Sequence, residues 1–280
     1  MSRFPVAFAR LSPLVFALLA GCGRGDVPPA PVVAATPGPA AAATPVATAS
    51  APLLLADVIE TTPSYIVGIS YPRMAANYPP LARALHDYAE AARAELMKAV
   101  SGLKGQKPQA PYDLSLQFTK LVDTPRVVAV AADGSSYLGG AHGMPLVERF
   151  VWLPRMQQML AAEQLIPDAG NWQAVSAYVR EQLMTTLSRQ LDEEALEGEA
   201  RAEQQGMRAR MIADGTTPAA RSFSRFEPVM NADGSIRALR FVFPPYQVAA
   251  YVDGTQTVEV PAKLLLPLVA PEYKALFRAG

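Results

Sequence analysis

Between Gly23 and Pro52 the chain is built almost wholly of Ala, Pro, Val, Thr and Gly, with Arg24 and Asp26 as its only charges and no aromatic side chain. Such a stretch has too little to bury to offset the entropy of ordering it, so it is expected to be a disordered tether. As a flexible coil of about 30 residues it spans roughly 30 Å, and stiffened by its prolines it reaches roughly 90 Å. Whatever folds must therefore fold in the ~225 residues that follow, a length that suits one domain burying ~70–75% of its unfolded surface.

The residues before the tether carry Arg3 and Arg10, then an apolar run from Leu11 to Ala20 broken only by Ser12 and Pro13, then Leu19-Ala20-Gly21-Cys22. A charged start, a short apolar core and a small-residue cleavage site make a secretory signal. A membrane-spanning helix needs ~20 apolar residues, about twice what is present. Leu-Ala-Gly-Cys resembles the bacterial lipobox. That resemblance implies cleavage before Cys22 and diacylation of its thiol, and two acyl chains hold a protein stably where one does not. Cys22 is the only cysteine, so no disulfide is expected.

The expected organisation is a signal peptide over 1–21, lipidated Cys22 and tether over 22–52, and an α+β domain over 53–280. The precursor balances 25 basic against 25 acidic side chains, so losing Arg3 and Arg10 leaves the mature chain two charges negative. That argues against nucleic acid as a partner, which calls for a basic face. Gly23 follows Cys22, whereas an Asp there would resemble an inner-membrane retention signal of enteric-type bacteria. The expected address is the outer membrane, facing the periplasm.

Period-two alternation or β-branched runs predict strands at 65–70, 112–122, 126–132, 146–153, 238–243, 247–252 and 257–260. Asp133-Gly134 and Asp233-Gly234 lie between such runs and suit tight turns that need positive φ. Leu81, Leu85, Tyr88, Ala92, Leu96 and Val100 recur at helical spacing and predict an amphipathic helix ending near Gly102. Trp172, Val175, Val179, Leu183 and Leu187 predict a second helix, with Asn171 as its N-cap. The expected fold is α+β, an antiparallel sheet with two principal helices packed on one face. From Asp192 to Met211 acidic residues come first and basic ones later, which suits an exposed helix stabilised by its dipole and by i,i+4 pairs, or else a charged docking arm.

Only two histidines are present. Zinc needs three or four ligands; His86 and His142 stand far apart, with Asp87 as the nearest carboxylate candidate, and no metal or other cofactor is expected. No Gly-x-Ser-x-Gly elbow, His-Glu-x-x-His helix or Walker loop occurs. A triad of His142 with Ser135 or Ser136, like a zinc site from both histidines and Asp87, is a minor alternative the sequence leaves open, the triad for a hydrolase acting on wall or lipid. His86 reads as a surface or boundary residue of the first helix. In Tyr137-Leu138-Gly139-Gly140-Ala141-His142 two adjacent glycines let the backbone bend sharply before a titratable ring. This is either a bulge whose His bonds to a neighbouring strand or a loop facing a ligand.

Tyr-x-Gly-Gly-Ala-His after a hairpin resembles the hallmark of the RsiV-like extracellular domains, found in a lysozyme-sensing anti-sigma factor and beside some peptidoglycan deacetylase domains. Tyr71-Pro72, Leu165-Ile166-Pro167, Phe241-Val242-Phe243, Tyr246, Tyr251, Gly254 and Val258 to Pro261 follow in matching order. The resemblance covers roughly 62 to 268. It implies a non-catalytic binding domain, with Tyr137, Gly139, Gly140, Ala141 and His142 as binding residues. The chain shows no cytoplasmic sigma-binding segment, spanning helix or deacetylase motifs, so those roles are not carried over. Trp152 to Met156 stands where the family has an Asp-x-x-Thr-Gly turn. The expected partners are the membrane, through lipid, and a lysozyme or another wall-active protein, or else peptidoglycan, on which Tyr137, Trp152, Tyr246 and Tyr251 would stack.

Overall fold

The computed structural model describes Leu53 and residues 55–279. The signal peptide, the acylated Cys22 and the tether, expected over 1–52, lie outside them. Strands β1 (Val58–Thr61) and β2 (Tyr65–Ser70) form a hairpin, and a 3-10 turn over Arg73–Asn77 leads into helix α1 (Pro79–Gly102). Then come β3 (Tyr112–Asp123), β4 (Val128–Tyr137), β5 (Met144–Leu153) and β6 (Gln158–Met159). Helices α2 (Ala162–Leu165), α3 (Trp172–Glu193) and α4 (Gly198–Gly215) follow, then β7 (Phe226–Met230), β8 (Ile236–Phe243) and β9 (Gln256–Pro261). Short helices α5 (Ala262–Leu265) and α6 (Pro271–Lys274) close the chain.

The α+β class is as expected, but the strands form two sheets: six in the order β1-β2-β3-β4-β5-β6, and three in the order β7-β8-β9. All pairs are antiparallel except β2 with β3, which run parallel. A parallel pair needs a crossover of a dozen residues or more, and α1 supplies it.

The two principal helices do not share one face. Leu81, Leu85, Ala89 and Leu96 of α1 pack with Leu114, Leu116, Phe118, Val128, Val130 and Trp152. Trp172, Val175, Val179, Leu183 and Leu187 of α3 pack in a second cluster with Leu239, Phe241, Phe243 and Val260, which also takes in Ala129 and Val151. Neighbouring residues of a strand point to opposite faces, so Val128 and Val130 on one side and Ala129 on the other place the two cores either side of β4. The cause is visible in the run from Val127 to Ala132, every member of which is buried. An unbroken apolar run is what a doubly covered strand requires.

Three further expectations are corrected. Asp133 and Gly134 lie inside β4, paired with Gln117 and Leu116 of β3. Gly134 is required there for closeness: a methyl on it would fall 2.0 Å from the Ser115 carbonyl oxygen. Residues 247–252 form no strand, because Pro244 and Pro245 end β8 and the chain turns into a 3-10 segment at Tyr251–Asp253. Asn171 sits at the start of α3 in helical conformation and does not cap it; instead its amide donates to the Leu268 carbonyl, and Asp168 accepts from Gly170 N at 2.8 Å to cap the preceding turn. By contrast Asp233-Gly234 makes the expected turn, with Gly234 at φ 79°.

A set of ion pairs ties the sheets together. The Arg149 side chain on β5, 9% exposed, donates to Glu227 on β7 at 2.9 Å and to Asp133 on β4 at 3.0 Å. Glu227, 10% exposed, also accepts from Arg240 on β8 at 2.8 Å, and Arg240 reaches Glu259 on β9. The Glu259 and Glu227 carboxylates hold the Arg240 guanidinium in its charged form, raising its pKa against some desolvation. The expected charge pattern at 192–211 becomes a helical hairpin: α3 ends at Glu193, and Arg201 and Arg208 of α4 reach back to Asp192 at 2.6 Å and Glu194 at 2.9 Å. Only Ile212 of α4 is buried. Among the described residues no helix is long and apolar enough to cross a membrane.

Candidate binding face

The loop from Leu138 to Gly143 joins β4 to β5. Gly139 has φ 83°, and a methyl there would press on the Tyr112 ring at 3.0 Å, so the position suits glycine on both counts. Tyr137 donates to the Gly140 carbonyl at 3.2 Å and meets Tyr112 edge to face. These contacts fix the first half of the loop and leave Ala141 and His142 exposed.

The His142 ring is held on three sides. Nδ1 lies 2.9 Å from the Gly143 carbonyl oxygen, and Nε2 lies 3.0 Å from the Tyr246 hydroxyl. A carbonyl only accepts, so the proton sits on Nδ1 and the neutral ring's Nε2 accepts from the phenol. Tyr251 stacks on the imidazole at 4.5 Å between centroids, tilted by 26°, and Tyr246 lies 5.7 Å from Tyr251. His142 thus bonds to the segment between β8 and β9 and not to a neighbouring strand, one of the two alternatives the sequence left open.

Tyr246 is half exposed and carries φ 73°, a conformation that a bulky side chain adopts only under constraint. The constraint comes from both sides. Tyr246 N donates to Ala249 O at 2.9 Å, while the Gln247 amide donates to Gly215 O at 3.1 Å and Ser222 O at 2.9 Å. At the end of α4 a methyl on Gly215 would fall 1.9 Å from the Gln247 carbonyl oxygen. Any side chain at 215 therefore displaces the turn that carries Tyr246. Close in sequence to these rings are two more exposed apolar side chains: Met144, two residues beyond His142, at 54%, and Val252, next to Tyr251, at 88%.

Of the other residues raised by the sequence, Trp152 is 2% exposed beneath α1 and offers no platform for a sugar. Tyr137 is half-buried. His86 lies on α1 with Nδ1 3.5 Å from Asp87. Among the described residues no three His, Cys, Asp or Glu side chains converge as a metal site would require. The Ser136 hydroxyl is buried without a partner, and neither Ser135 nor Ser136 bonds to His142, whose nitrogens are engaged by Gly143 and Tyr246.

Residues 165–263 match the model of a family described as a protein of unknown function, DUF3298. The matched stretch runs from α2 into α5; it includes Tyr246 and Tyr251 and leaves out the glycine loop with His142. No curated protein matches the sequence. Among solved structures, a DUF3298 family protein from Pseudomonas aeruginosa PAO1 is similar with a TM-score of 0.54 at 17% identity, over 81% of this chain and 95% of that one. A member of the same family from Bacteroides fragilis NCTC 9343 gives 0.48 at 13% identity, over 78% of this chain and 93% of that one. The Pseudomonas likeness shows the fold and carries no activity with it.

Proposed function

We propose that this chain is an outer-membrane lipoprotein, acylated at Cys22, whose folded part acts by binding a protein at the face formed by His142, Met144, Tyr246, Tyr251 and Val252. The partner proposed first is a lysozyme or another hydrolase that attacks the wall. One observation carries the reading: the exposed rings of His142, Tyr246 and Tyr251 are packed on one another, Tyr246 at a strained φ. Tyrosine and methionine are over-represented at the centres of protein interfaces, and a few such anchors carry most of the binding free energy. The resemblance of the glycine loop to the RsiV-like domains supports the choice of partner.

Passing a panel of lysozymes over the immobilised mature domain tests it. Binding is expected, and Tyr251→Ala is expected to weaken it by about 30-fold, the effect of losing an anchor worth ~2 kcal/mol. No binding at tens of micromolar would remove the proposal. Growth of the producing cell on labelled palmitate tests the anchor: label should enter the wild-type chain and be absent from Cys22→Ser.

Two exposed tyrosine rings 5.7 Å apart also suit stacking on sugars, which favours peptidoglycan as the second reading. Co-sedimentation with purified sacculi, together with indifference to lysozyme, would decide for it.

A further inference from the structure

We infer that the face is a proton-operated switch, in which His142 on gaining a proton reverses its hydrogen bond to Tyr246 and turns the outward side of that phenol from acceptor to donor. The inference rests on the same face as the proposed function and adds its regulation.

Nδ1 of His142 is committed, because the Gly143 oxygen 2.9 Å away can only accept. The second proton therefore has one place to go, Nε2, which is where the Tyr246 hydroxyl now points at 3.0 Å. In the neutral ring the phenol spends its hydrogen on Nε2 and shows only lone pairs outward. In the imidazolium, Nε2–H donates to the phenol oxygen, and the phenol's own hydrogen must turn away. Tyr246 is half exposed, so that hydrogen turns toward solvent. One proton is taken from water, one N–H bond forms, and the phenol keeps its proton throughout.

Tyr251, from the segment after β8, presents its ring to the imidazole at 4.5 Å between centroids. The other titratable groups of the packed elements are Tyr246, Tyr137, whose hydroxyl is spent on Gly140, and Asp253, whose carboxylate accepts from Ala250 N. Histidine is the side chain that ordinarily changes charge between about pH 5 and 8. On the acid side the face offers a positive charge and a phenolic donor, which suits a partner's carboxylate; on the alkaline side it offers an acceptor, which suits a hydroxyl or amide N–H.

The experiment needs no macromolecular partner, so its failure and the failure of lysozyme binding are separate results. Long-range proton–nitrogen spectra of the mature domain are followed from about pH 8.5 to about pH 5, with His86→Gln used to assign the two rings. Expected are a His142 proton on Nδ1 at high pH, a Tyr246 ring-carbon shift that follows the imidazole with the same midpoint, and a moved His142 midpoint in Tyr246→Phe. Acetate, the carboxylate probe, should shift Tyr246 at the acid end and lose that effect at the alkaline end. A high-pH proton on Nε2, a Tyr246 ring that ignores the titration, or an acetate response equal at both ends would overturn the switch.

Discussion

Gly134→Ala is expected to cost the domain more than ~3 kcal/mol of stability, or to leave no folded protein to recover. The added methyl would sit 2.0 Å from the Ser115 carbonyl oxygen, 2.9 Å from the Leu116 Cα and 3.0 Å from the Ser115 carbonyl carbon. All three obstacles are backbone of β3, in the middle of the six-stranded sheet, so no rotamer change relieves them. The β3–β4 ladder would have to part, and with it the strand on which both hydrophobic cores rest. Gly68→Ala is the control, since nothing lies within 4 Å of its new methyl on β2. Urea titrations of the three proteins check the pair: a midpoint for Gly134→Ala equal to that of Gly68→Ala would show that β3 and β4 are less closely joined than described.

Arg149→Met is expected to destabilise the domain by about 3 kcal/mol, the lower end for breaking a buried ion pair. Methionine keeps an apolar stem in place of the arginine's and removes the guanidinium, so the loss is electrostatic more than steric. Glu227, 10% exposed, would keep Arg240 but lose the guanidinium at 2.9 Å. A charge taken out of water is costly once its partner goes, whereas removing both members leaves nothing unpaired. Arg149→Met combined with Glu227→Met should therefore recover more than half the loss, because Arg240 retains Glu259 and Asp133 is open to solvent. Denaturant unfolding of single and double variants measures the coupling; a double variant weaker than either single one would sink the account.

What was legible in the sequence was local. The stripe from Leu81 to Val100 and the one from Trp172 to Leu187 each repeat at the helical period, and both became helices. Asp233-Gly234 turned as its residue types require, while the same pair of types at Asp133-Gly134 did not, since nothing adjacent in sequence announces that the carbonyl of Ser115 lies beneath residue 134. The apolar run at 127–132 read as a strand. That it was covered on both sides, and so implied two cores instead of one, was also written in its lack of alternation.

The candidate binding face divides in the same way. Tyr137 to His142 stood out because paired glycines before a histidine are a local oddity. Its partner Tyr246 lies 104 residues further on, and contact across such a distance leaves no period or spacing to read. Tyr246 also takes a positive φ with no glycine or asparagine to announce it, the conformation being imposed by Gln247, Gly215 and the His142 bond. The ion pairs between the sheets were equally silent, because arginine and glutamate in strands read as solvent-facing until a second sheet is laid over them.

The hairpin of α3 and α4 gives the molecule an uneven resistance to opening. Eighteen residues of α4 contribute one buried side chain, so peeling them back exposes little oily surface and leaves both sheets intact. The ion pairs of Arg201 with Asp192 and of Arg208 with Glu194 resist the peeling along most of its length, and salt weakens them. Yet the last residue of that helix abuts Gln247, so a fluctuation that begins in a thinly buried helix ends at the turn that carries Tyr246.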